Sequence, residues 1–164
     1  MSIELARQVG EALNTRGMLL ATAESCTGGG VAQAVTEIAG SSAWFERGFV
    51  TYANLAKVEM LGVSQTTLSE HGAVSEATVR EMAMGALRHS HADIAVAVSG
   101  VAGPGGGSPQ KPVGTVWLAW AVRAGEVRAQ LYQFRGNRAE VREQAVRIAL
   151  QGTLGVLEKF SAIT

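Results

Sequence analysis

The sequence predicts an α/β protein, a three-layer α/β/α sandwich on a mixed, mostly parallel sheet of about five strands. Three observations carry the prediction. Helical segments alternate with short apolar runs through the first hundred residues, the order that builds parallel strands with helical crossovers. The runs MLLATAE (18–24) and ADIAVAVSG (92–100) are almost uninterrupted, as strands covered on both faces must be. Two further stretches, VGTVWLAWAV and EVRAQLYQF, are separated only by Arg123-Ala124-Gly125, which closes the sheet with an antiparallel hairpin. At 164 residues and 47% hydrophobic content the chain holds one domain with a substantial core and is too short for two ordinary ones, so residues 1–164 are read as one domain.

Each element has a local reason. In residues 3–15, Leu5, Val9, Ala12 and Leu13 recur at helical spacing, and Gly17 follows as a stop. The strand 18–24 runs into Ser25-Cys26-Thr27 and three glycines, from which a helix is predicted over 27–38. FERGFVTYA (45–53) carries β-branched and aromatic residues and reads as a strand ending near Tyr52. Asn54 is expected to cap a short helix holding Ala56, Lys57 and Met60, and a second short helix follows at 64–71. Ser75 then caps a helix over 76–90, with Glu76 in its first turn. Residues 100–114 contain all three prolines and many glycines and are read as a loop. The last helix runs from about Asn137 to near Phe160.

Composition narrows the functions. Lys+Arg and Asp+Glu both number 14, so no basic excess argues for nucleic acid or an anionic membrane, and neither is expected as a partner. No stretch approaches the roughly 20 apolar residues of a transmembrane helix. The single cysteine, Cys26, has no intrachain disulfide partner, and the amino terminus places charges where a signal peptide needs an apolar run, so a cytoplasmic location is expected. Self-association into a homo-oligomer is expected from apolar and aromatic residues such as Trp44 and Phe45, whose burial within one copy is the other reading. Without a His/Cys cluster or a carboxylate motif at ligand spacing, no metal is expected.

In parallel α/β sheets ligands gather beyond the carboxyl ends of the strands. Three segments share that position: Glu24-Ser25-Cys26, Tyr52 to Lys57, and Ser99 to Gly107. At a strand-to-helix corner the first N–H groups of the helix are unpaired, so Ser25 there suits a nucleophile beside an oxyanion hole, and Ser25 or Thr27 suits a plain cap equally well. Gly28, Gly29 and Gly30, at roughly 1 kcal/mol each in a helical turn, ask for a close approach by a ligand or by the sheet. A serine needs a base. His89 and His91 lie at the far end of a helix and His71 in a turn, whereas Lys57 leaves the same sheet edge as Ser25, where partial burial lowers a lysine pKa; a solvated surface lysine is the alternative. Tyr52 is placed to relay the proton or orient the lysine. Cys26 is the rival nucleophile, or a small buried hydrophobe. Gly100, Gly103, Gly105, Gly106 and Gly107 read as a backbone cradle for phosphate or as a plain loop. Arg138 and Arg142, four apart on one helix face, read as an anion clamp or as partners of Glu140 and Glu143.

The segments AESCTGG (23–29), AGSSAWFERGFVTYANLAK (39–57), HGAVSE (71–76), SGVAGPGGG (99–107), KPVGTVW (111–117) and FRGNRAEVR (134–142) together resemble the carboxy-terminal domain of the competence-damage protein CinA. The resemblance spans nearly the whole chain in order. It implies a stand-alone nicotinamide-nucleotide amidase that converts nicotinamide mononucleotide and water to nicotinate mononucleotide and ammonia, without a cofactor. It also implies serine–lysine catalysis by Ser25 and Lys57 with Tyr52 nearby. Substrate contacts then fall to Cys26, Thr27, Gly28, Gly29, Ser99, Gly100, Gly105, Gly106, Arg138 and Arg142. The pyrophosphatase attributed to the larger amino-terminal domain of full-length members is not expected. Leu55 and Asn137 depart from the polar residue and the aspartate that many relatives carry there; Asn137 remains a competent cap. The alternative reading is a non-catalytic nucleotide-binding or regulatory module of the same fold.

Overall fold

A computed structural model describes residues 2–160. In chain order the elements are α1 (Ser2–Arg16), β1 (Leu20–Glu24), α2 (Gly30–Thr36), a 3-10 turn (Ser41–Ala43), β2 (Phe45–Val50), α3 (Asn54–Leu61), α4 (Gln65–His71), α5 (Glu76–Arg88), β3 (Ile94–Gly100), β4 (Thr115–Val122), β5 (Val127–Gln133) and α6 (Arg138–Leu157). The five strands form one sheet in the order β2-β1-β3-β4-β5. β1 pairs parallel with β2 and β3, while β4 pairs antiparallel with β3 and β5. Four strands therefore point one way and β4 alone runs against them, the expected mixed sandwich.

The two faces of the sheet are unequal, and the sequence shows it as a period of two. Leu20, Ile94, Val96, Val98, Val116, Leu118 and Trp120 point to one side and pack with α1, α2 and α6. Ala21, Ala23, Ala95, Ala97, Ala119 and Ala121 point to the other, against Val79, Met82, Ala83 and Ala86 of α5. A methyl-deep face lets a helix backbone approach the sheet closely, and α5 in turn receives α3: Gly85 faces the Leu61 carbonyl, where a Cβ would collide. That stack fixes α3 and the lysine it carries.

Several boundaries differ from expectation for physical reasons. The helix predicted over 27–38 begins only at Gly30, because Gly28 and Gly29 are left-handed, with φ of 59° and 101°. Gly28 and Gly29 thus serve the turn's backbone, and Gly30 alone stands in the first helical turn, so the supposed cost of three helical glycines no longer argues for a ligand. Asn54 is not a cap: Ala53 holds that position, and no side chain caps α3. The Ser75 cap of α5 is present, and Asn137 forms a full capping box with Glu140 at α6. Trp44 is 4% exposed and Phe45 half-buried, both packed within the single copy, so they no longer argue for self-association. Among the described residues no helix is long and apolar enough to cross a membrane.

Candidate active site

The register of the sheet assembles the site. β1 lies between β2 and β3, with Glu24 level with both Val50 and Val98, so the chain leaves all three strands at one edge. The Ser25 N–H continues the ladder to the Val98 carbonyl (2.9 Å), and the Thr51 N–H donates to the Glu24 carbonyl (2.8 Å). Ser25 is thereby anchored on both sides, and α3 then turns back over the edge and lowers Lys57 onto it.

Lys57 is 1% exposed. Its Nζ lies 3.0 Å from Ser25 Oγ, 2.9 Å from the Thr51 carbonyl and 3.2 Å from the Tyr52 carbonyl. No carboxylate pairs with it among the described ion pairs. Desolvation therefore holds the amine's pKa below the ordinary lysine value, with neighbouring Cys26 a lesser, opposing influence. The surface-lysine alternative is excluded by this burial. A neutral amine has two N–H groups for the two carbonyls and one lone pair left for the serine hydroxyl, a match in number as well as position.

Cys26 is also buried, and desolvation pushes its thiol pKa up to about 11, so near neutral pH it keeps its proton. Behind Ser25 the turn is held from outside by Arg142, whose guanidinium donates to the carbonyls of Cys26 (3.1 Å) and Thr27 (3.4 Å). In a trans peptide the N–H points opposite to its carbonyl, so the Thr27 N–H faces away from Arg142. The N–H groups of Cys26 and Thr27 meet no backbone acceptor among the described residues.

A pocket of about 230 Å3 opens over this pair, lined by Ser25, Cys26, Tyr52, Asn54, Lys57, Ala73, Val74, Ser99, Gly100, Ala102 and Arg138. Ser99 is 1% exposed at its wall. Arg138 stands at the mouth, donating to the Gly103 carbonyl (2.9 Å) and the Tyr52 hydroxyl (3.1 Å). Tyr52 thus divides its groups: its carbonyl holds Lys57, while its phenol turns to Arg138. Gly105 and Gly106 are exposed and outside this lining; Thr27, buried with its hydroxyl bonded to Glu24, and Gly28 and Gly29 are outside it as well. Arg138 and Arg142 address different targets and make no ion pair with Glu140 or Glu143 among the described residues. His71, His89 and His91 are exposed and stand outside the pocket. Asn54, Ala73, Val74 and Ala102 are lining residues that were not singled out from the sequence; Asn54 and Ala102 fall within the segments placed at the ligand edge, whereas HGAVSE, which holds Ala73 and Val74, had no role in the site. Larger depressions of about 350 and 520 Å3 lie at the β4–β5 turn and between α1 and Trp44, away from the serine and the lysine.

Fold and site together define a three-layer α/β protein with a buried lysine set against a serine at the carboxyl edge of its sheet. The chain belongs to the family of the CinA C-terminal domain, whose model matches residues 2–157. It is 59% identical over 149 residues to the nicotinamide-nucleotide amidohydrolase PncC of Escherichia coli K12, covering 91% of this chain and 90% of that protein. To the protein of the same name from Pseudomonas putida it is 53% identical over 150 residues, covering 92% and 93%. Among solved structures, the competence/damage inducible protein CihA of Agrobacterium tumefaciens superposes with a TM-score of 0.93 at 51% identity, over 96% of this chain and 95% of that one. A CinA superfamily protein from Klebsiella pneumoniae gives 0.94 at 44% identity, over 98% and 99%.

Proposed function

We propose that this protein hydrolyses the carboxamide of nicotinamide mononucleotide to nicotinate mononucleotide and ammonia, with Ser25 as nucleophile and Lys57 as base. The observation that carries the mechanism is the Lys57 amine, buried, without a carboxylate partner among the described residues and 3.0 Å from the Ser25 hydroxyl. The substrate comes from the relatives of the same length named nicotinamide-nucleotide amidohydrolase.

The carboxamide lies over Ser25. Neutral Lys57 accepts the hydroxyl proton as Oγ bonds to the carbonyl carbon, and the N–H groups of Cys26 and Thr27 receive the oxyanion. The C–N bond then breaks, the nitrogen takes the proton from Lys57, and ammonia leaves. Water attacks the acyl-serine by the same route reversed, giving the carboxylate and restoring Ser25. The pocket is smaller than most ligand sites, so it takes the pyridine end while ribose and phosphate extend to Arg138 at the mouth. Arg142 supports the turn behind the reacting atoms, and Ser99 is within the wall that meets the ring or its amide. Incubating the protein with nicotinamide mononucleotide should release ammonia and nicotinate mononucleotide in equal amounts. Tight binding of the nucleotide without turnover would favour the binding-module reading instead.

A further inference from the structure

Glu24, the last residue of β1, is 1% exposed and stands next to Ser25, yet the reaction above makes no use of it. Its carboxylate has no cation among the described ion pairs. Instead it reaches forward along the chain. Oε1 accepts the Thr27 hydroxyl (2.6 Å) and the Val31 N–H (2.8 Å), and Oε2 accepts the Ala32 N–H (3.0 Å). Val31 and Ala32 are the second and third residues of α2, the positions whose N–H groups an N-cap side chain ordinarily takes. The residue at the N-cap is Gly29, which has no side chain to offer.

We infer that Glu24 is a positioning residue for the reaction, acting as a remote cap that spares Ser25 and holds the turn carrying it. The inference rests on the serine–lysine reading. In the turn from Ser25 to Gly29 both the serine and the threonine are good capping residues, and either would take the first helical N–H groups if these were free. Glu24 takes them first and binds the Thr27 hydroxyl as well. Ser25 Oγ is left to Lys57 and to the Tyr52 carbonyl (3.4 Å), to which its hydroxyl donates, and the helix starts late enough for the Cys26 and Thr27 N–H groups to stay outside its hydrogen-bond ladder. Glu24 fixes the turn from the sheet side and Arg142 from the α6 side, so the oxyanion donors are held on rigid elements at both ends. The burial of Lys57, not the charge of Glu24, is what lowers the lysine pKa, so the two roles are separable.

The test is steady-state hydrolysis of nicotinamide mononucleotide across pH by the native protein, Glu24→Gln, Thr27→Val and Ser25→Ala, each with a circular-dichroism melt. Gln keeps the shape and one acceptor oxygen but turns an NH2 toward a backbone donor. A folded Glu24→Gln should lose about ten- to a hundredfold in kcat with KM within about threefold, and its rise of rate with pH should keep its midpoint. Thr27→Val, which removes one partner of the carboxylate and leaves Glu24 in place, should fall in the same direction by less. Native kcat in folded Glu24→Gln overturns the proposal, as does a shifted pH midpoint, which would make Glu24 an electrostatic partner of Lys57. Should Glu24→Gln not fold, native kcat in Thr27→Val overturns it. If Ser25→Ala remains active the serine–lysine reading falls, and this proposal with it; if Ser25→Ala is dead and Glu24→Gln is native, only the role of Glu24 falls.

Discussion

Lys57 Nζ sits 3.0 Å from Ser25 Oγ in a place where, among the described residues, no carboxylate pairs with it and almost no water reaches it. A lysine in that setting is costly to keep charged, and among the described residues the Ser25 hydroxyl bonds no other base. Ser25 follows β1 directly and Lys57 lies on α3, which follows β2, so the two meet because β1 and β2 are neighbours in the sheet.

The first consequence is a pH dependence. Only the neutral amine accepts the serine proton, so kcat/KM should climb about tenfold per pH unit below the Lys57 pKa and level off above it. The midpoint should fall below the ordinary lysine value of 10.5. Lys57→Arg should lose nearly all activity at every pH, because guanidinium keeps its proton. Near-native turnover by the arginine variant would rule out a lysine base.

The same pKa makes a stability prediction. Between the lowered folded value and 10.5, the unfolded chain holds a proton that the folded one does not, so stability rises with pH through that window. Below it the folded protein bears the full cost of a buried ammonium. Lys57→Met has no such group. The melting temperature of the native protein, measured relative to Lys57→Met, should therefore increase from pH 7 toward pH 10, by at most about 1.4 kcal/mol of stability per pH unit. A constant difference would mean that the lysine is solvated.

Cys26 should be dispensable for the chemistry. With its thiol pKa near 11 it should react with iodoacetamide far more slowly at pH 8 than a free thiol does. Cys26→Ala should retain most of the turnover, since its part in the proposed reaction is a backbone N–H that alanine also has. Inactivation of this variant with a normal melt would return the nucleophile's role to sulfur.

The two arginines of α6 should behave differently. Arg138 lines the pocket mouth, so Arg138→Met should hurt the nucleotide more than the riboside lacking phosphate, by about ten- to a hundredfold in kcat/KM. Arg142 holds the carbonyls of Cys26 and Thr27, so Arg142→Met should slow both substrates alike. Kinetics on the two substrates decide this. Equal losses in Arg138→Met would mean that it does not read the phosphate.

What was legible in the sequence is what local periodicity and topology encode. The apolar runs gave β1 and β3, the short loop gave the hairpin, and the sheet-edge rule placed Ser25, Lys57, Tyr52 and Ser99 together. What was hidden depends on backbone sign or on distant partners. Nothing local says that Gly28 and Gly29 turn left-handed and delay α2. The reach of Glu24 to Val31 and Ala32 mimics a cap from outside the capping position. Arg142 finds its carbonyls 115 and 116 residues away, and the choice between the carbonyl and the phenol of Tyr52 is made by α6 supplying Arg138. Asn54 looked like a cap because its type favours caps, but Ala53, still extended, holds the N-cap position, so Asn54 is already the first helical residue and lines the pocket instead.

The most direct measurement is ammonia release from nicotinamide mononucleotide by Ser25→Ala at the pH of highest native activity, alongside a melt showing that the variant is folded. Removing the hydroxyl that Lys57 Nζ bonds should cost about a thousandfold or more in kcat, down to what the remaining binding and oxyanion groups provide. A folded Ser25→Ala protein that keeps turnover within about tenfold of native would contradict the serine–lysine assignment.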